Sequence, residues 1–239
     1  MIPKTIHYCW FGQGEMPEMT QECIASWHKH MPDWKYKLWS ENNFDVNNIL
    51  YTKEAYNAGK YAFVSDFVRL WALCNEGGLY LDTDVEVFKS FDDLMAYPAF
   101  GGFEGSKHLP VGTCVMASEA NGVWVREQLE NYMNRHFLNA DGSFDLTTNV
   151  QFISAKMREH GFQQNGKEQD YKDFHVFPVE YFCPRQTTGE YIRTDKTYCD
   201  HLGMASWTDK ARGWKHVLGK MVGPRIMPFL IRIKRKLYG

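Results

Sequence analysis

Gly77-Gly78-Leu79-Tyr80-Leu81-Asp82-Thr83-Asp84-Val85-Glu86 is the stretch whose reading decides the fold. Two glycines stop a helix, a short apolar run follows, and two carboxylates sit one residue apart where that run ends. A run bounded by turn residues and too short for a helix fits a buried strand of an α/β sheet. Ligands gather at the ends of such strands. Side chains alternate along a strand, so a strand through this stretch points Asp82 and Asp84 to the same face. Two like charges so close repel unless a cation or a hydrogen-bond donor lies between them. A hard divalent ion that also holds phosphates, Mg²⁺ or Mn²⁺, suits the place. The tripeptide Asp82-Thr83-Asp84 also reads as a turn or a cap after a strand.

Upstream, residues 53–76 carry the longest helical pattern of the chain, with Phe63, Phe67, Leu70, Trp71 and Cys74 on an apolar face and Gly77-Gly78 as its stop. Asp66 and Arg69, three residues apart, share a side of that helix. The helix feeds directly into the Asp82/Asp84 strand, so the pair is more than an isolated surface ion pair. Earlier still, Thr5–Phe11 reads as a strand, Pro17 and Thr20 open a helix that runs to about His30 with Ile24, Trp27 and Met31 on one face, and Lys35–Trp39 reads as a second strand. Strand, helix, strand with a turn at each joint predicts a parallel βαβ unit. Gly12-Gln13-Gly14 lacks the third glycine and the helix of a dinucleotide fingerprint.

The chain has 239 residues, 44% hydrophobic and 23% charged, the composition of an ordinary globular domain with room for one small appendage. Its net charge of −2 conceals a division. Residues 210–239 hold nine Lys and Arg and no acid, which leaves 18 basic against 29 acidic residues in the rest. The body is therefore strongly acidic and a poor binder of nucleic acid, and a polyanionic partner would meet the tail. Six cysteines (Cys9, Cys23, Cys74, Cys114, Cys183 and Cys199) are scattered without a Cys-x-x-Cys, as suits reduced, buried thiols rather than a disulfide framework. Neither His7-x-Cys9 nor Cys199-x-His201 has the spacing of a familiar zinc pair. No signal peptide and no run long enough to span a bilayer are legible, and the expectation is a cytoplasmic protein.

Ile2-Pro3-Lys4-Thr5-Ile6-His7-Tyr8-Cys9-Trp10-Phe11-Gly12, Ser26-Trp27, Pro32-Asp33 before Trp39, Ala62-x-x-Ser65-Asp66-x-x-Arg69, and Gly77-Gly78-Leu79-Tyr80-Leu81-Asp82-Thr83-Asp84 occur in one order. Together they resemble glycosyltransferase family 32, the sugar-binding-region transferases with an Asp-x-Asp motif, which include capsular-polysaccharide and outer-chain mannosyl transferases. The clostridial glucosylating toxins are more distant relatives. The match covers roughly the first ninety residues and resumes near His201 and Ser206-Trp207.

The resemblance implies an α/β fold of GT-A type: a mixed central sheet flanked by helices that binds a nucleotide sugar, here over residues 1–209. It implies that Trp10 stacks on the nucleobase, which an aromatic face can do; Trp10 as plain core is the other reading. Asp66 and Arg69 match contacts to the donor sugar and diphosphate. Asp82 would reach ribose or sugar hydroxyls and the metal, and Asp84 would bind the metal directly. His201 with Ser206 and Trp207 matches a segment that closes over the diphosphate and completes the metal shell; imidazole suits Mn²⁺ better than Mg²⁺. Asp200 could substitute for His201. The implied donor is UDP-linked, the implied acceptor a glycan or lipid-linked saccharide, and the implied outcome retention of configuration in surface polysaccharide synthesis.

Past residue 90 the expectations are strands at Phe100–Glu104 and Thr113–Ala117, a helix over Gly122–Phe137 with Val125, Leu129 and Met133 on one face, and another helix starting in Thr147-Thr148-Asn149-Val150-Gln151. Glu104 matches the neighbourhood of an acceptor or donor-sugar contact in relatives. Many relatives carry a Gly-Pro dipeptide near the place where this chain has Asn149-Val150, a departure in the segment that meets the sugar, and Asn149 reads either as a helix cap or as a catalytic contact. The tail, 210–239, reads as a basic amphipathic helical segment interrupted by Pro224 and Pro228. It can lie on an anionic membrane surface, which would put the protein peripherally on the inner face of the membrane, or it can pack on the acidic body. Two further classes use the same acidic pair or none: a sugar-nucleotide hydrolase or nucleotidyltransferase, and a non-catalytic carbohydrate- or membrane-binding module.

Overall fold

A computed structural model describes residues 1–105, 109–185 and 190–203. Ser206, Trp207 and the tail from Lys210 lie outside the described residues. In chain order the elements are β1 (Thr5–Cys9), α1 (Glu18–His30), β2 (Lys35–Trp39), α2 (Leu50–Asn57), α3 (Tyr61–Glu76), β3 (Gly78–Leu81) and β4 (Val85–Val87). Then come β5 (Ala99–Phe103), β6 (Val111–Ser118), α4 (Val123–Met133), α5 (Asn149–Glu159), β7 (Gln169–Tyr171), β8 (Phe174–Phe177) and β9 (Cys199–His201). Seven strands form a mixed sheet in the order β2-β1-β3-β6-β5-β8-β7, and β4 pairs with β9 in a separate two-stranded ribbon.

The first three sheet strands are the expected parallel set: Thr5–Cys9 runs in register with Lys35–Trp39, and β1 is parallel to β3. Strand β6 is antiparallel to both β3 and β5. Alternation along the strands divides the apolar residues between two cores. Leu79 and Leu81 join Trp27, Val85, Phe91, Phe100, Cys114 and Cys183 in one, while Tyr80 joins Phe67, Leu70, Met116 and Trp124 in the other. A short α/β sheet covered on both faces is the arrangement that buries the near-continuous apolar run of β3.

Gly77 and Gly78 are required by packing as well as by backbone conformation. Gly77 ends α3 at φ 65°, and a Cβ there would lie 2.8 Å from the Ala120 nitrogen. Gly78 has φ 122°, and its Cβ would meet the Thr5 carbonyl at 2.6 Å and His7 Nε2 at 2.9 Å. The glycine pair thus lets β3 lie against β1. His7 itself is a satisfied core histidine: the Trp39 indole donates to its Nδ1 at 3.1 Å, so Nε2 carries the proton and donates to the Gly77 carbonyl at 2.8 Å. Burial holds its pKa below the ordinary imidazole value.

Four expectations are corrected. The long helix is two helices, broken at Ala58-Gly59-Lys60 where Gly59 takes φ 66°. The central strand ends at Leu81, and Asp82-Thr83-Asp84 is a turn closed by the Val85 N–H donating to the Asp82 carbonyl at 3.0 Å. Helix α4 stops at Met133, and that side chain is 52% exposed rather than on the apolar face. The cap of α5 is Thr148, not Asn149: Thr148 and Gln151 form a reciprocal capping box. All six cysteines are buried thiols outside any disulfide, as their spacing suggests. No helix among the described residues is long and apolar enough to cross a membrane.

Candidate functional site

The site is built at the carboxyl end of β3. On one face of the sheet, α3 brings Arg69 against the strand, with its guanidinium over the Tyr80 ring, 4.6 Å from the centroid. Arg69 Nη1 donates to the Thr113 carbonyl at 2.9 Å and pairs with Asp82 Oδ1 at 3.2 Å; Nη2 pairs with Asp66 Oδ1 at 3.1 Å; Nε donates to the Ser65 carbonyl at 3.2 Å. The Tyr80 hydroxyl donates to Asp82 Oδ1 at 2.9 Å. One planar, permanently charged fork therefore fixes two carboxylates from different elements. Arg69 is 5% exposed, so this pairing is screened little by solvent.

Asp66 is 9% exposed. Burial pushes its carboxyl up to about 6; Arg69 opposes that shift and the Asp82 charge adds to it. Its second oxygen accepts from the Asn149 backbone N–H at 3.3 Å, and the Asn149 side-chain amide donates back to the Asp66 carbonyl at 3.2 Å. The Tyr132 hydroxyl completes the link by donating to Asn149 Oδ1 at 3.1 Å. Asn149 is therefore a buried tie between α5 and α3, a role that neither sequence reading gave it.

From the other side the β4–β9 ribbon delivers His201. The register pairs Val85 with His201, and the Leu202 N–H donates to the Asp84 carbonyl at 3.0 Å. His201 Nε2 lies 3.3 Å from Asp84 Oδ1. Burial acts against the imidazolium, but the Cys114 sulfur and the Asp84 carboxylate outweigh it and hold the His201 pKa well above its ordinary value. Asp82, Asp84 and His201 each offer one ligand atom, all within 4.8 Å of one another. Two carboxylate oxygens and one imidazole nitrogen leave positions open for phosphate and water oxygens, a donor set that fits Mn²⁺ or Mg²⁺. The turn, rather than strand alternation, turns Asp82 and Asp84 towards one point.

Asp200 does not substitute for His201. It alternates to the other side of β9, is 2% exposed, and pairs with Arg185 Nη2 at 2.8 Å. Trp10 belongs to neither core; its indole donates to the Gly14 carbonyl at 2.6 Å, which fixes the ring on the loop after β1. Beside that loop a cleft of about 480 Å³ is lined by Gln13, Glu41–Asn47 and Tyr56. None of Asp66, Arg69, Asp82, Asp84 and His201 lines it. It follows β1 and β2, whose carboxyl ends share an edge with that of β3. Sequence reasoning missed Tyr80 and Thr113, the groups that orient Asp82 and Arg69. Tyr80 lies inside the quoted strand and alternates towards α3, which was a usable signal; Thr113, whose backbone carbonyl is the main contact, gave none.

The chain has relatives. Residues 17–100 match the family described as glycosyltransferase sugar-binding region containing DXD motif. Inositol phosphoceramide mannosyltransferase 3 of Schizosaccharomyces pombe is 33% identical over 103 residues, 41% of this chain and 29% of the relative. Glucan organizing enzyme 1 of Cryptococcus neoformans is 36% identical over 80 residues, 30% of this chain and 22% of the relative. The chain thus spans less than a third of the length of either. Among solved structures, PaToxG glycosyltransferase superposes with a TM-score of 0.51 at 16% identity, covering 67% of this chain and 70% of that one. The fold is the GT-A glycosyltransferase fold.

Proposed function

We propose that this chain, whose residues 17–100 match the glycosyltransferase sugar-binding region containing a DXD motif, transfers a sugar from a nucleotide-sugar donor to a hydroxyl of a glycan or lipid-linked saccharide. The observation that carries the reading is the convergence of Asp82, Asp84 and His201 within 4.8 Å, with the Asp82 carboxylate held in place by Arg69. The chemical difficulty of such a transfer is the departure of a nucleoside diphosphate as negative charge builds on its leaving phosphate. A divalent cation on these three side chains supplies Lewis-acid charge for that phosphate.

The chain's own residues prepare the place. Arg69 and Tyr80 aim Asp82 before any ligand arrives, so no reorganisation is needed at the moment of reaction. Arg69 spends its N–H groups on Ser65, Thr113, Asp66 and Asp82. It therefore acts on the donor through its field and through the carboxylates it positions. Asp66, half-charged near pH 6, is suited to hydrogen-bond a sugar hydroxyl as donor or acceptor. The loop bearing Trp10 and the polar cleft beside it offer a stacking face and amide groups for a nucleobase.

In this reading the donor is UDP-linked, the cation is manganese, the product keeps the donor's configuration, and the reaction belongs to surface polysaccharide synthesis. The family resemblance supports each of these. The fission-yeast relative is named for mannosyl transfer, so mannose is the first sugar to test. The same reading takes Ser206 and Trp207 as donor contacts and puts the enzyme in the cytoplasm, with the basic tail, residues 210–239, on the inner face of an anionic membrane. Vesicle flotation of the full chain against one lacking residues 224–239 tests that placement, and equal partition removes it.

The experiment for the activity is a panel of nucleotide sugars with Mn²⁺, each incubated with and without a saccharide acceptor. Manganese-dependent transfer that needs the acceptor is the expected result. Equal sugar release without acceptor would make the chain a hydrolase. Failure of uridine diphosphate to bind in the presence of manganese, measured by calorimetry, would leave only a binding module.

A further inference from the structure

Four side chains from four separate segments meet behind the Asp-x-Asp turn, on the face of the sheet opposite Arg69. Glu104 follows β5, Cys114 lies in β6, Cys183 follows the turn Val179–Tyr181, and His201 ends β9; one ligand atom from each lies within 4.8 Å of all the others. Cys114 Sγ and Cys183 Sγ are 3.4 Å apart, and both thiols are buried. Ordinary core cysteines face aliphatic groups and behave as small hydrophobes. Cys199, the next thiol along, gives its hydrogen to the Phe182 carbonyl at 3.5 Å and is not part of the group. The pair at Cys114 and Cys183 instead faces a carboxylate and an imidazole, in a region otherwise packed with Phe91, Phe100 and Phe182.

From this convergence we propose a second cation site, of soft donor type: zinc bound by Cys114, Cys183, His201 and Glu104. Two sulfurs, one nitrogen and one carboxylate oxygen are the donors of a tetrahedral zinc centre. The spread of 4.8 Å closes by a small contraction to the edges that Zn–S bonds of about 2.3 Å and Zn–N bonds of about 2.0 Å require. Binding releases one proton from each thiol and one from the His201 imidazolium, so a dication meets two thiolates, a neutral imidazole and a carboxylate. His201 is shared: it belongs both to this set and to the hard set with Asp82 and Asp84. A zinc ion on the thiolates therefore withdraws His201 from the hard site, and zinc antagonises manganese without occupying the same place. The soft site stands on its own geometry whether or not the chain transfers sugar.

The test uses the full-length, reduced, metal-free protein titrated with Co²⁺ as a coloured substitute for zinc. One equivalent with an intense thiolate-to-cobalt charge-transfer band, bleached by one equivalent of Zn²⁺, is expected. Cys114→Ser and Cys183→Ser each lose most of that band, and Asp84→Asn keeps it. No thiolate band in the native protein, or a band that survives the double cysteine substitution, overturns the site. Because both cysteines are core residues, X-ray absorption of the native zinc-loaded protein provides a check that needs no variant. Two sulfur neighbours at about 2.3 Å support the proposal and a shell of nitrogen and oxygen alone sinks it. With zinc bound, Mn²⁺ affinity measured by the free-ion paramagnetic resonance signal falls on the order of tenfold or more; unchanged manganese affinity overturns the sharing of His201.

Discussion

The two faces of the sheet at Asp82 are built on opposite plans. On the α3 face, Asp66, Arg69, Tyr80 and Asp82 lie within seventeen consecutive positions and are joined by direct bonds, with Thr113 and Asn149 as more distant partners. On the other face, Glu104, Cys114, Cys183 and His201 come from segments spread over almost a hundred residues. The first is a closed set of charges already satisfied by one another. The second gathers donors of soft and hard character whose natural common partner is a cation. One side of the strand end is organised to hold its shape, and the other to hold something else; Asp84 and His201 sit where the two plans meet.

The sharpest way to break that comparison is at the meeting point. Asp84→Asn is expected to lower turnover roughly 10³-fold, since charge stabilisation by a bound metal is worth several kcal/mol, while the melting temperature stays close to the native one. A variant that keeps most of its activity would contradict the hard site. Next comes Arg69→Met, which leaves Asp66 and Asp82 without their counter-charge. Urea unfolding should show a loss of about 3–5 kcal/mol, the cost of orphaning a buried charge. A loss under about 1 kcal/mol would mean that the α3 face is not the rigid half.

The third prediction uses pH. The native Asp66 carboxyl titrates near 6, above its ordinary 3.8. Between those values the folded protein holds a proton that the unfolded chain has released, so Asp66 costs stability as pH rises through this window, and the cost is complete above it. Asp66→Asn removes that dependence. The difference in unfolding free energy between variant and native protein should move in the variant's favour by roughly 2–2.5 kcal/mol from pH 4 to pH 7, most of the two pK units at about 1.36 kcal/mol each. A flat difference would show that Asp66 is charged throughout. The smallest effect is expected from Thr148→Ala, which removes the cap of α5. About 1 kcal/mol should be lost in urea unfolding, with the cobalt titration of the opposite face unchanged.

The parts of the site legible in sequence are those that obey local periodicity. Asp66 and Arg69 share a helix side because they are three apart, and the glycine pair marks where that helix must turn back. The parallel pairing of Thr5–Cys9 with Lys35–Trp39 follows from two short strands around an amphipathic helix. Less legible was the conformation of Asp82-Thr83-Asp84. A strand and this turn both bring the two carboxylates to one side, and only pairing partners decide between them: β3 is in register with β6 as far as Leu81, whereas Val85 is in register with His201. The break at Ala58-Gly59-Lys60 was hidden because apolar periodicity continues across it from Tyr51 and Ala55 to Phe63.

What the sequence alone determined is the frame and its first acidic wall: an α/β sheet, a helix carrying an Asp–Arg pair, a glycine hinge and two carboxylates at a strand end. Each of these rests on spacings of a few residues, which backbone geometry converts directly into direction. What only the tertiary structure decided is the identity of the partners across the cleft: that His201 and not Asp200 faces Asp84, that Asn149 ties α5 to Asp66, and that two cysteines sixty-nine positions apart touch. The first depends on which face of β9 points inwards, and a shift of one residue in its register would reverse it; the other two depend on how α5 and the segment after Val179–Tyr181 pack against distant parts of the chain.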